Sequence, residues 1–270
     1  MPDFLTDITI QQFPLWVILL ICGGVFLASF MDAIAGGGGI ISVPTYLIAF
    51  SGLSTHYALG TNKLSSGVGT IFSTARFIRN GYVPWRLAAP AVAMALLGSM
   101  GGTWLQLRTP DVILKYLLLA VLPVTAFFVL RSREWPDQPG NIAPRTQALI
   151  VWGAALLLGA YDGYYGPGTG TFLMLIFIRL AKLDTLRSAG IAKVINLSSN
   201  LGSLGTALLA GYVYVGVGLT AAAASILGHY LGAGLAIKNG SRIVRPVVIV
   251  VLLLLTVKVG SELLFPQFWN

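Results

Sequence analysis

Two aspartates and two lysines stand inside stretches that are otherwise almost entirely apolar or small. Asp32 precedes the run AGGGG and Asp162 precedes GYYGPGTG, while Lys63 and Lys193 each follow in a segment of small and polar residues. At the centre of a membrane span such charges cost roughly 2.5 to 3.5 kcal/mol each. They must therefore be paired, hydrated or protonated.

The surroundings of the two lysines are suited to an anion. Side chains that can donate hydrogen bonds surround them, namely Thr61, Asn62, Ser65 and Ser66 near Lys63, and Asn196, Ser198, Ser199 and Asn200 after Lys193. On a helix Lys193, Asn196 and Asn200 share one face, because their spacing is i, i+3 and i+7. A cation with directed donors facing a central cavity predicts an oxyanion site.

The two aspartates are predicted to have a structural role. An acidic side chain at a helix end accepts hydrogen bonds from freed backbone N–H groups, so Asp32 and Asp162 can hold the adjoining breaks in shape. Proton coupling is a second role for both. The alternative is a pair of Asp–Lys bridges that ties each half of the chain together.

The glycine runs open onto two short apolar segments, 40–51 and 170–181. About a dozen residues reach only about 18 Å as a helix, which is less than the roughly 30 Å of a bilayer core. The segments are therefore predicted to be half-helices whose N-termini offer N–H groups to an anion. The donors would come from Gly37, Gly38, Gly39, Gly168, Thr169 and Gly170. The alternative is that the glycines only permit close packing.

Composition fixes the class of protein. Of the 270 residues, 56% are hydrophobic and 10% charged, whereas soluble domains carry roughly a quarter charged residues. The chain is thus predicted to be an all-α polytopic membrane protein. Longer apolar segments predict crossings near residues 14–34, 57–79, 84–104, 112–130, 147–164, 188–210, 214–236 and 246–264.

The chain consists of two related halves. Asp162 follows Asp32 by 130 positions, and Lys193 follows Lys63 by the same number. Many glycines recur at this offset. A polar stretch rich in proline and charge divides the halves, which predicts a first repeat at 14–130, a cytoplasmic linker at 131–146 and a second repeat at 147–264.

The basic residues predict how the repeats are oriented. Most of them fall in four clusters between apolar segments: Arg76, Arg79 and Arg86; Arg131, Arg133 and Arg145; Arg179, Lys182 and Arg187; Lys238, Arg242 and Arg245. Because cytoplasmic loops collect Lys and Arg, five segments per repeat would place all four clusters in the cytoplasm. The repeats would then be inverted and both termini periplasmic. No basic run alternates with aromatic residues, so the net charge of +8 indicates topology and no nucleic-acid partner.

Four motifs taken in order, DAIAGGGGIISVP, ALGTNKL, YDGYYGPGTGTF and AKVINLSSN, closely resemble the sulfite exporter TauE/SafE family. The resemblance covers nearly all of residues 14–264. It implies a transporter of sulfite, organosulfonates or related sulfur-containing anions in the bacterial inner membrane, which agrees with the anion site inferred from the lysines.

The sequence thus predicts a secondary transporter that works by alternating access, with export as the expected direction. Lys63 and Lys193 would attract the anion, with Thr61, Asn62, Ser66, Asn196 and Asn200 orienting it. An anion channel is the alternative. An enzyme is not expected, since neither a nucleophile–base pair nor a metal cluster is visible, and no cofactor is predicted. A proton is the candidate coupling ion, and His229 is read either as a proton relay or as an ordinary interhelical hydrogen-bond partner.

Overall fold

The computed structural model describes residues 13–114 and 138–239. Within these ranges the chain forms eight main helices joined by short connections. In chain order they are α1 (Leu15–Ala35), α2 (Gly39–Ala49), α3 (Thr55–Arg79), α4 (Trp85–Gln106), α5 (Pro144–Tyr164), α6 (Thr169–Arg179), α7 (Thr185–Leu209) and α8 (Val215–Asn239).

The helices match the apolar segments of the sequence to within about three residues at nearly every end. The two short segments are separate helices of 11 residues each, α2 and α6. Helix α5 begins at Pro144, inside the predicted linker 131–146. The predicted crossing at 246–264, and all but the first three residues of the one at 112–130, lie outside the described residues.

The exterior of the bundle is suited to lipid. Three of the described helices, α1, α4 and α8, are long and apolar enough to cross a membrane. Large apolar side chains point outward from several helices, including Leu15, Trp16, Leu97, Leu157 and Leu227. In water an apolar surface of this extent would drive association, whereas against lipid tails it is stable. The chain is an all-α polytopic membrane protein.

Helix boundaries recur at the offset of 130 residues. Helices α6 and α7 begin and end 130 positions after α2 and α3. The residues that cap α3 and α7 also correspond, because Ser54 accepts a hydrogen bond from the amide of His56 and Asp184 accepts one from the amide of Arg187. Side-chain oxygens of this kind satisfy the amides that a helix start leaves unpaired.

Equivalent helices run in opposite directions. Where α3 crosses its counterpart α7, Gly67 faces Asn200 while the hydroxyl of Thr74 donates to the carbonyl of Lys193. Residue numbers therefore rise along one helix as they fall along the other. An antiparallel crossing of two equivalent helices is the arrangement that an inverted repeat requires.

Glycine seams join the first helix of each repeat to the fourth helix of the other. Side chains at Gly98 and Gly102 of α4 would collide with the carbonyls of Leu156 and Ala160 of α5. The same relation holds between α8 and α1, where Gly228 and Gly232 lie against the carbonyls of Phe26 and Phe30. Small residues let helix backbones approach closely in lipid. In both seams the paired helices run parallel. Each seam packs a helix of one half of the chain against a helix of the other half.

The basic residues at the helix ends gather at one end of the bundle. Helix α3 ends there and α4 begins there. Helix α5 also begins there, because it runs parallel to α4. Helix α7 starts at the same end because it is antiparallel to α3. Helix α8 finishes there, since its contacts with α3 run from Gly218 at Leu64 to His229 at Thr70. The basic residues at these helix ends include Arg79, Arg86, Arg145, Arg187 and Lys238.

Candidate substrate-binding site

The two helix breaks meet at the centre of the bundle. The amide of Thr171, in the first turn of α6, donates to the carbonyl of Gly36 at 3.0 Å, and its hydroxyl donates to the carbonyl of Ala35 at 2.9 Å. Gly36 has a φ of 77°, a left-handed conformation that glycine adopts without steric cost. A side chain on either Gly36 or Gly170 would collide with the other residue. The glycines thus allow one break to lie directly against the other.

Asp32 holds its break as predicted, whereas the hydrogen bonds to the Asp162 side chain come from Ser199 and Lys63. The amide of Gly38 donates to Asp32 Oδ1 at 3.2 Å, so this carboxylate closes the turn between α1 and α2. Asp162 instead accepts from the hydroxyl of Ser199 at 2.7 Å. In the second break Thr169 Oγ1 donates to the carbonyl of Gly166 at 2.8 Å, so a hydroxyl there helps to hold the turn.

Both lysines form ion pairs, and both pairs cross between the repeats. Lys63 Nζ donates to Oδ2 and to the main-chain oxygen of Asp162, each at 2.7 Å. Lys193 Nζ lies 2.6 Å from Asp32 Oδ2 and also contacts the main-chain oxygen of Asp32. The alternative left open by the sequence was a bridge within each half, and the structure corrects it. The pairs exchange partners because the end of α1 lies against α7 of the other repeat, and the end of α5 against α3.

The two ion pairs differ in exposure. The Lys63 and Asp162 side chains are both 9% exposed, whereas Lys193 is only 1% exposed and its partner Asp32 is 17% exposed. Removing one partner of a buried pair costs about 3 to 5 kcal/mol because the other charge is left uncompensated. Each pair therefore keeps two buried charges compensated across the two halves, and the loss of either partner would destabilise the fold.

The residues beside Lys63 differ in type from those at the equivalent positions of the other half. A small second cavity beside Lys63 is lined in part by the polar side chains of Thr103, Gln106 and Tyr164. At the equivalent positions of the other half the chain has Ala233, Ala236 and Ile34, all fully buried. The polar residues beside Lys63 thus have buried apolar counterparts in the other half, and Lys193 is the less exposed of the two lysines.

A hollow lies between the repeats, next to the crossing of the two breaks. It contains about 480 Å³ of space between atoms, including the part that opens outward. Both aspartates and Lys63 line it, together with the first residues of α2 and α6. The predicted donation to an anion is corrected for two of the amides, because that of Gly38 donates to Asp32 and that of Thr169 donates to the carbonyl of Gly166. The two helix N-termini still direct the positive ends of their dipoles toward the same space.

Most of the residues proposed from the sequence as ligands line this hollow. They are Asn62, Lys63, Ser66, Asn196, Asn200, Gly38, Gly39, Thr169 and Gly170, beside Asp32 and Asp162.

Thr61, Gly37, Gly168 and Lys193 are not among the described lining residues. The hydroxyl of Thr61 accepts a hydrogen bond from the amide of Tyr214 at 3.0 Å, and Lys193 is held by Asp32. Gly37 accepts from the amide of Ile40 through its carbonyl, and Gly168 precedes the first residue of α6. The structure therefore does not place these four predicted ligands at the hollow.

The hollow also contains polar residues that were not predicted as ligands. Ser29, Ser42 and Thr70 line it, and so does His229, for which the sequence left two interpretations, a proton relay and an interhelical hydrogen bond. A signal was present for His229, because the equivalent position in the first half is Ser99. For the hydroxyl residues there was none, since serine and threonine are common in membrane helices that pack closely.

A bundle with a lipid-compatible exterior and a charged hollow between paired helix breaks belongs to the class of polytopic membrane transporters. The family model described as "Sulfite exporter TauE/SafE" matches residues 21–259. The chain belongs to this family, as the resemblance of its four motifs had predicted.

Similar proteins agree with this class. The chain is 35% identical over 254 residues to a probable membrane transporter protein of Haemophilus influenzae, covering 93% of this chain and 95% of that protein. It is 33% identical to the probable membrane transporter protein ORF9 of a Sinorhizobium species, with 90% and 93% covered. It is also 33% identical to the probable membrane transporter protein YfcA of Escherichia coli K12, with 88% and 89% covered. No solved structure gave a significant match.

Proposed function

We propose that the chain is a secondary carrier that moves a small sulfur-containing oxyanion, such as sulfite or an organosulfonate, by alternating access. The observation that carries the proposal is the hollow in which Lys63 and the N-termini of α2 and α6 converge. A hydrogen bond to a charged group contributes about 1.5 to 3 kcal/mol. The groups that line the hollow are suited to binding an anion through charge and hydrogen bonds. Transport therefore accounts for this site better than catalysis.

Lys63 is the cation that contacts the anion in this proposal. Its ammonium group has three hydrogens to donate, and Asp162 accepts through Oδ2 and the main-chain oxygen. An arriving oxyanion would compete with the carboxylate for the same ammonium group. Ser199 already donates to Asp162 Oδ2, so the carboxylate keeps one donor when Lys63 turns toward the substrate.

Amide side chains complete the site. Asn62 Oδ1 accepts a hydrogen bond from Ser66, which leaves the NH₂ group of Asn62 for a ligand. Asn196 Oδ1 is buried and has no hydrogen-bond partner among the described residues. Because an amide can turn over about its Cβ–Cγ bond, Asn196 can present its NH₂ group to an oxyanion. Lys193 acts indirectly, by holding Asp32 in place at the first break.

The orientation follows from the clustered charges. The end of the bundle that carries Arg79, Arg86 and Lys238 would face the cytoplasm under the positive-inside rule. Helix α1 begins at the opposite end, so the N-terminus would be periplasmic in a bacterial inner membrane. With five segments in each repeat the C-terminus would be periplasmic too, and the inverted repeats would alternate around the hollow.

Flux into proteoliposomes tests the proposal. Purified protein would be reconstituted and assayed for uptake and counterflow of radiolabelled sulfite and methanesulfonate. Lys63→Gln and Asn196→Ala should each reduce flux by about 10-fold or more, which corresponds to roughly 1.4 kcal/mol of lost binding. Asn196→Ala leaves both ion pairs intact, so its effect does not depend on breaking a salt bridge.

Lys238→Gln is the matched control, because it removes a lysine at the end of α8 far from the hollow, and its flux should equal that of the wild type. Counterflow and saturation would support a carrier, whereas single-channel currents would show an anion channel instead. Unchanged flux in both Lys63→Gln and Asn196→Ala would remove the anion site from this hollow.

A further inference from the structure

The formal charges at the hollow cancel before any substrate arrives. Lys63 is paired with Asp162, and Lys193 is paired with Asp32. An anion that enters therefore adds one negative charge to a site of low dielectric constant, where an uncompensated charge is costly. A second positive charge that enters with the anion would remove this cost.

His229 is the remaining titratable side chain among the described residues that line the hollow. It lies on α8, is 1% exposed, and occupies a position where the other repeat has Ser99. The charged groups around it come from several helices: Asp32 from α1, Lys63 from α3, Asp162 from α5, and Lys193 from α7 through its bond to Asp32. These four charges sum to zero.

The hydrogen bonds of Thr70 determine which ring nitrogen of His229 carries hydrogen. Thr70 Oγ1 donates its single hydrogen to the carbonyl of Ser66 at 2.7 Å. Its 3.4 Å contact with His229 Nε2 must then be one in which Nε2–H donates and the hydroxyl accepts. In the neutral ring the lone pair is consequently on Nδ1.

Nδ1 of His229 is buried and has no hydrogen-bond partner among the described residues. A buried acceptor without a donor costs about 1 to 3 kcal/mol, and protonation converts this nitrogen into a donor. Its neighbour Asp32 carries a carboxylate that would stabilise the resulting imidazolium. The hollow thus has a place for an anion and, on the same wall as Asp32, a place for a proton.

We propose that His229 binds a proton at Nδ1 when the anion enters, so that one proton crosses the membrane with each monovalent anion. The inference rests on the proposed carrier function and adds its coupling ion. The proton comes from the aqueous phase that supplies the anion, and returns to water on the opposite side. A single histidine, with serine at the equivalent position, gives one proton for each cycle and makes transport electroneutral.

Accumulation under a pH gradient tests this coupling. Methanesulfonate is the probe, because it keeps one negative charge at every pH used. Its end-point distribution across proteoliposomes with a lower pH outside would be measured at zero membrane potential. Coupling of one proton per anion gives the wild type about a tenfold accumulation for each pH unit, since a tenfold ratio corresponds to about 1.4 kcal/mol.

His229→Gln should show an end-point ratio near one, because glutamine can donate to Thr70 but takes up no proton. His56→Gln is the matched control, since the chain has two histidines and His56 is outside the hollow, so it should behave like the wild type. Accumulation by His229→Gln that still follows the gradient would overturn the proposal. Equal loss in both variants would do the same.

Proton uptake on binding gives a second readout that requires no flux. Isothermal titration of the detergent-solubilised protein with methanesulfonate, in buffers of different ionisation enthalpy, should show about one proton bound by the wild type and almost none by His229→Gln. Wild-type binding without proton uptake would overturn the coupling alone. A wild type that neither binds nor exchanges methanesulfonate and sulfite at equal pH would instead refute the proposed function.

Discussion

The crossed ion pairs make a prediction that depends on which lysine binds which aspartate. Lys63→Met and Asp162→Leu each leave one charge of the first pair without its partner. The double variant removes both charges and puts apolar side chains in their place. The comparison variant combines Lys63→Met with Asp32→Leu, which breaks both pairs and leaves Asp162 and Lys193 unpaired.

The burial of the partners sets the expected magnitudes. Each single substitution should cost about 3 to 5 kcal/mol. Asp32→Leu should be near the upper value, because it strands Lys193, which is 1% exposed, whereas Asp162→Leu strands Lys63 at 9%. The Lys63→Met/Asp162→Leu variant should recover most of the loss, since apolar replacements of a buried pair are often neutral. The comparison variant should lose the sum, about 6 to 10 kcal/mol, which approaches the total stability of many proteins.

Equilibrium unfolding in detergent micelles, analysed as a double-mutant cycle, would measure these differences. A coupling energy of at least about 2 kcal/mol is expected for Lys63 with Asp162, and close to zero for Lys63 with Asp32. If the largest coupling instead joined Lys63 to Asp32, the lysines would pair within each repeat, and the crossed arrangement would be wrong.

Two further predictions concern the contact between the breaks. Gly170→Ala should lower the free energy of unfolding by about 1 to 3 kcal/mol, because the added methyl group would collide with Gly36. Gly205→Ala should not lower it, because Gly205 has open space around it. Equal unfolding midpoints for both variants would contradict the close approach of the breaks. Thr171→Val should cost about 1 kcal/mol because it deletes the hydrogen bond to the carbonyl of Ala35, whereas Thr171→Ser should retain it, and the difference between their unfolding midpoints measures this bond.

The sequence predicted the described helices well because lipid imposes a simple rule. A segment must be apolar and long enough to span, and a glycine-rich run interrupts it, so the limits of α2 and α6 could be read within about two residues. Helices α3 and α7 are less apolar, yet both were predicted as crossings, at 57–79 and 188–210, within about three residues of their limits in the structure.

The partners of the lysines could not be predicted in the same way. Because the halves repeat both charges at one offset, the spacing is equally compatible with pairs inside each repeat and pairs across them. The deciding contact joins Thr171 to Gly36, which are far apart in the chain. The enclosure of Lys193 could not be predicted either, since the two lysines stand at equivalent positions and yet Lys193 alone is absent from the lining of the hollow.

The most direct test of the central claim is the position of a bound anion. Crystals of the protein grown with selenite, the selenium analogue of sulfite, would locate the selenium by anomalous diffraction. A selenium peak is expected inside the hollow, with an oxygen about 2.7 to 3.2 Å from Lys63 Nζ and another within the same range of Asn196 or Asn200. A hollow without selenium at saturating selenite, or a peak confined to the arginines at the end of the bundle, would contradict it.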